Sequence, residues 1–175
     1  MNTRPQPPTR IYTALKPLPQ LIKICALLVT VYGSRYAEAQ SAQFSQFASK
    51  VIAFSSQYGT TNFSAQQVLS APNTQTVGSN GAWAARNPNN ATEFLTVGYN
   101  LPIAATGISI YEYTTNGFVT KVETVDTANV YRTVWSGLDN ATTANGRKLS
   151  ITFPQTSYQV AGVKVTINGQ KTTLY

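Results

Sequence analysis

The stretch 159-QVAGVKVTIN-168 alternates in a way that only one kind of element satisfies. Val163, Val165 and Ile167 fall on one side of an extended chain, and Lys164 and Thr166 on the other. Successive side chains of a strand point to opposite faces, so this pattern makes a sheet with one packed face and one wet face. A helix would scatter the same apolar residues around its circumference. Leu149, Ile151 and Phe153 repeat the alternation. Further strands are expected at 50-KVIAF-54, 94-FLTVGYN-100, 107-GISIYEY-113, 118-FVTKVETVD-126, 130-VYRTVWS-136, 148-KLSITF-153 and 171-KTTLY-175. Gly, Asn, Pro and Ser separate them. Asn168-Gly169 is a strong hairpin signal and Asn116-Gly117 a second turn. The one expected helix is short, 64-SAQQVLS-70, and stops before Pro72. Many short strands with tight turns and almost no helix predict an all-β fold, an antiparallel β-sandwich of the jelly-roll type.

The N-terminal region reads differently. Residues 1–20 are basic and Pro-rich, 21-LIKICALLVTVYG-33 is apolar, and 37-AEA-39 is a small-x-small site. That order is the pattern of a secretory signal peptide over residues 1–39, with cleavage after Ala39. An uncleaved membrane anchor is the other reading, although a span needs about 20 apolar residues and Lys23 interrupts this run. Residues 40–49, rich in Gln and Ser, read as a flexible lead-in to one domain over 50–175. No stable membrane span is expected once the signal is removed.

Charge and residue content then exclude several functions. The net charge is +7, but five of the 13 basic residues lie in residues 1–39, and those beyond are scattered. A surface that tracks phosphates needs clustered Lys and Arg, so no nucleic-acid partner is expected. The chain has no His, and its one cysteine, Cys25, lies in the apolar run. The expected domain therefore has no disulfide, no thiol nucleophile and no imidazole base. Its acids are Glu93, Glu112, Glu123, Asp126 and Asp139. Glu123 and Asp126 are three apart on a strand and face opposite ways, so they do not form a facing pair for glycoside hydrolysis. No enzyme activity is expected.

The order of motifs resembles a known family. The chain runs 54-FSSQYGTTNFSAQQVLSAPNT-74, 81-GAWA-84, 93-EFLTVGY-99, 107-GISIYEYTTNGFVTKVETVD-126, 134-VWSG-137 and 153-FPQTSYQVAGVKVTI-167. This is similar to discoidin and other galactose-binding-like secreted β-sandwich modules. Where that family has Pro-Gly-Ala, this chain has Asn116-Gly117-Phe118, and the family's Trp- and acid-containing C-terminal segment is missing beyond Tyr175. The resemblance implies a non-catalytic module that binds glycans, lipids or proteins through loops at one end of the sandwich.

The candidate ligand residues are Trp83, Arg86, Glu112, Tyr113 and Asn116. An exposed indole stacks on the apolar face of a sugar, and Trp83 lies in the loop 78-GSNGAWAARNPNN-90. Arg86 offers a bidentate donor fork three residues on. Trp135, inside a strand pattern, reads as packing. Glu112 shares a strand face with Ile108 and Ile110, so a carboxylate there must find partners. Sugar hydroxyls or calcium would serve; so would the amides of 114-TTNG-117, or Lys121. No cofactor is expected. Calcium, which takes six to eight oxygens, is the one ion the loop 70–81 leaves open, through Asn73 and Asn80. The expected partner is a glycan or an extracellular protein ligand. The alternative is a structural or adhesive surface protein that assembles through exposed strand edges.

Overall fold

The computed structural model describes residues 23–31, 44–69, 71–72, 81–86, 92–112, 117–142 and 147–169. The strands, in chain order, are β1 (Lys23–Val31), β2 (Phe44–Phe47), β3 (Lys50–Phe54), β4 (Trp83–Ala84), β5 (Glu93–Ile103), β6 (Gly107–Glu112), β7 (Val119–Asp126), β8 (Tyr131–Ser136), β9 (Lys148–Thr152) and β10 (Val160–Ile167). They form two five-stranded sheets whose pairings are all antiparallel. The expected helix is reduced to a single 3₁₀ turn, Ala65–Val68. The expected strand 171–175 lies outside the described residues.

One sheet has the order β3-β5-β10-β7-β8. Val165 faces Leu95 on one side and Val122 on the other, which sets three apolar side chains abreast. In the second sheet β6 lies between β1 and β9, pairing Ile108 with Ile151 and Ile110 with Leu149. These inward faces meet in one core that includes Leu95, Val97, Val122, Ile108, Ile110, Leu149, Ile151, Val163 and Val165. This is the all-β sandwich that the alternation predicts. Burying each of these side chains contributes on the order of 1.5–3 kcal/mol against exposure.

The N-terminal segment has a definite place in this fold. The apolar run read as the core of a secretory signal is β1. Along one edge it pairs with β6, from Ile24↔Glu112 to Thr30↔Gly107. Along the other edge it pairs with β4 near its start and with β2 near its end. Residues 44–47, assigned above to a flexible lead-in, form β2. Their Gln and Ser content hides a strand that exists because β1 gives it a backbone to pair with.

Two features position the outer sheet. Gly98 and Gly162 face each other across β5 and β10. A Cβ at Gly162 would lie 2.6 Å from the Val97 carbonyl oxygen, whereas one at Gly98 would meet mainly the flexible Lys50 side chain. Gly162→Ala is therefore expected to destabilise the domain by roughly 1–3 kcal/mol, and Gly98→Ala by less. Urea unfolding of the two variants checks this, and equal midpoints would count against it. The second feature is the β7–β8 turn. Asp126 Oδ1 accepts the N–H groups of Ala128 (2.8 Å) and Val130 (2.9 Å), and Oδ2 accepts Arg132 Nη1 at 2.6 Å. Asn129 takes φ +62° in the same turn. The Arg132 guanidinium then lies 4.2 Å from the centre of the Tyr158 ring.

Candidate functional site

The segment after β3 is fastened on both sides. Ser55 N–H donates to the Phe94 carbonyl at 3.0 Å, and Ser55 Oγ accepts the Phe94 N–H at 2.8 Å. The Ser55 hydroxyl also donates to the buried Glu93 carboxylate. On the other side Tyr58 N–H reaches the Ala84 carbonyl at 2.8 Å, and Ser56 Oγ accepts the Arg86 N–H at 3.0 Å. The Gln57 side-chain oxygen accepts the Ala65 N–H at 3.0 Å. These bonds hold irregular backbone in one shape, so a surface built on it is rigid before any ligand arrives.

That surface is a hollow of about 360 Å³ lined by Phe54, Ser55, Ser56, Gln57, Tyr58, Gly59, Thr60 and Arg86. Phe54 and Tyr58 are large rings left 41% and 44% exposed, at odds with their cost in water. Tyr58 is braced edge-on by Phe63, with ring centres 6.0 Å apart. The Arg86 side chain is exposed, and among the described residues no carboxylate lies within ion-pairing distance of it.

Of the sequence-predicted residues that are described, the structure brings Arg86 to this hollow and not Trp83 or Glu112. Trp83 is wholly buried, and its indole N–H donates to the Ser56 carbonyl at 2.9 Å. It cannot stack on a sugar from solvent; it anchors the backbone of Ser56, which lines the hollow. The expectation of exposure fails because β4 is roofed by β1 and the 3₁₀ turn, contacts that no local pattern announces. Trp135 packs partly buried against the core, as its strand position implied. Tyr113, Asn116, Asn73 and Asn80 lie outside the described residues. Among the described residues no group of three or more Asp, Glu, His or Cys side chains is arranged to hold a metal ion.

Glu112 ends β6 on its inward face and is 1% exposed. Its carboxyl accepts the N–H groups of Gly117 (3.1 Å) and Phe118 (3.4 Å). Lys121, offered above as its partner, pairs instead with Glu123 at 3.0 Å. Gly117 takes φ +91°, the left-handed conformation that the expected turn glycine supplies. Asp139 approaches Glu112 while accepting the N–H groups of Val119 (3.1 Å) and Ala141 (2.9 Å). Burial first, and the Asp139 charge second, push the Glu112 carboxyl up to about 9. The two carboxyls thus clamp the β6–β7 connection to the loop after β8. Both Glu112 carboxyl oxygens are engaged by backbone amides of the fold.

Phe54 and Tyr58 were missed because Phe54 reads simply as the end of a strand. The available signal was 54-FSSQYG-59, in which two rings flank small hydroxyl residues immediately after a strand.

Two antiparallel sheets closed on one core, with a polar-aromatic hollow beside an edge strand, define an all-β sandwich domain. Residues 37–174 match the family described as Pappalysin-1, SD scarf domain, C-terminal, and the chain belongs to that family. It is not a member of the discoidin or galactose-binding-like family that its motif order resembles. Strands punctuated by Gly and Asn turns at similar spacing are common to many sandwiches, and the turn at 116–118 already differed. No curated protein and no solved structure matches the chain. β1 lies N-terminal to the matched residues. Among the described residues no helix is long and apolar enough to cross a membrane.

Proposed function

We propose that this chain is a secreted, non-catalytic binding module that recognises carbohydrate through the hollow of Phe54, Tyr58 and Arg86. The order basic–apolar–small-x-small in residues 1–39 supports the secreted assignment. The observation that carries the binding reading is the pairing of two exposed rings with a guanidinium that has no carboxylate partner among the described residues, on backbone fastened by its own hydrogen bonds. Sugar rings offer an apolar face for stacking and hydroxyls for polar groups at the rim. The one close carboxyl pair described, Glu112 with Asp139, is buried and bonded to backbone amides rather than set across an open cleft. Glu112 is committed to backbone amides, and Glu123 is held by Lys121.

Binding to an oligosaccharide panel tests this. The folded chain is expected to bind a defined glycan. Phe54→Ala and Tyr58→Ala are each expected to weaken it about tenfold, the factor that 1.4 kcal/mol represents, with circular dichroism unchanged. A folded monomer that binds nothing on the panel would count against carbohydrate recognition. A silent panel from a concentration-dependent oligomer would favour an assembly role through the strand edges.

A further inference from the structure

The polarity of the hollow narrows its ligand. The Gln57 side-chain oxygen accepts the Ala65 N–H, which fixes the amide's orientation and leaves its NH₂ as a donor. The Ser56 carbonyl is consumed by Trp83, and the Ser55 hydroxyl is spent on Glu93. Arg86 adds a guanidinium, which has donors and no acceptor. Among the described residues no carboxylate lines the hollow, and the nearby Glu93 is 4% exposed and bonded to Ser55. A neutral sugar presents hydroxyls that both donate and accept, and the Ser56, Tyr58 and Thr60 hydroxyls meet these without drawing on the Arg86 charge. An anionic sugar presents acceptors alone at its charged group, which matches the Arg86 guanidinium, the one charged group among the described residues that line the hollow.

We infer that the hollow selects an anionic glycan, with a carboxylate or sulfate ester of the sugar on the Arg86 fork and the ring against Phe54 and Tyr58. The inference rests on the carbohydrate reading above. A guanidinium meets a carboxylate or sulfate with two parallel hydrogen bonds, and these charge-assisted bonds are stronger than neutral ones.

The test is calorimetric titration of the full chain with three length-matched ligands: an oligogalacturonate, its neutral methyl ester and a sulfated neutral oligosaccharide. At least one anionic ligand is expected to bind on the order of tenfold tighter than the ester. Arg86→Gln is expected to abolish that preference, and Arg86→Lys, which keeps the charge but loses the fork, to restore it only in part. Preference for the oligogalacturonate assigns the carboxylate, and preference for the sulfated ligand assigns the ester. Equal binding of all three overturns the inference and leaves carbohydrate recognition standing. An anionic preference that survives Arg86→Gln also overturns it, by assigning the effect to the net charge of +7. Binding of none of the three, with a silent oligosaccharide panel, removes the carbohydrate reading itself.

Discussion

A Glu112→Gln chain is expected to keep its melting temperature as pH rises from 4.5 to about 9, while the parent chain loses stability across that window. The sign follows from proton binding. A carboxyl whose folded value lies above its unfolded value binds more protons in the native state, so stability falls as pH rises between the two. Each unit of difference corresponds to about 1.4 kcal/mol, so the loss is on the order of several kcal/mol. Protonated Glu112 donates to Asp139 and accepts from the Gly117 and Phe118 amides. Glutamine keeps a donor or an acceptor at each position but gives up one of the two amide bonds, and it carries no charge to desolvate, so its stability is flat with pH. Glu112→Ala, by contrast, leaves the two amides and Asp139 without their partner and is expected to cost about 1–3 kcal/mol or more. Asp126 acts in the opposite direction. The Arg132 guanidinium and the amides of its own turn hold its carboxyl below the usual value of 3.8, so its contribution is lost only on stronger acidification. The parent chain should therefore be most stable in mildly acidic solution. Thermal melts from pH 3 to 9 check both signs, and a parent chain whose stability climbs from pH 5 to 9 would refute the Glu112 assignment.

A chain that starts at Gln40 is expected to self-associate. Removing residues 1–39 takes away β1, the strand that joins β6 to both β2 and β4. The edge of β6, six residues long, then presents unpaired N–H and C=O groups along a mostly buried strand. Such an edge is a template for another strand. Sedimentation should show oligomers that grow with concentration, with melting lowered by roughly 10 °C or more, since ~1 kcal/mol moves a domain of this size by several degrees. A synthetic peptide of residues 21–33 should return the chain to monomer by refilling the slot. A monodisperse monomer that melts with the longer chain would show that β1 does not hold the sheet together. The same experiment bears on secretion. If the signal is cut after Ala39, the secreted form is the one with the open edge.

What could be read in advance follows the range of the forces involved. β10 and β9 were legible because alternation is local and strong. β5 runs past the expected end at Asn100 to Ile103, because Val160 of β10 pairs with Ile103 beyond a bulge. β2 was illegible, since its polar residues form a strand only against β1, a segment whose composition announced something else. Arg86, which lines the hollow, could be named in advance because an isolated Arg beside a loop aromatic is visible in one dimension. Trp83 was misplaced because its burial depends on a strand that begins 60 residues earlier. Glu112 was correctly suspected of tying its own turn, but Asp139 enters from 27 residues away, and no spacing rule connects them.

The Asp126 turn also sets an order of assembly. β7 and β8 are joined by a connection of four residues, and all its directing hydrogen bonds are internal to 126–132. Val97 and Val163, which meet across β5 and β10, are 66 residues apart. Closing the long loop costs more chain entropy and is rewarded only when other pairs form with it. The hairpin therefore belongs to the early microsecond events, and the β5–β10 seam to the slow step. Carboxylate chemistry at one turn thus decides where the chain starts to fold, and Asp126→Ala should slow folding more than it speeds unfolding.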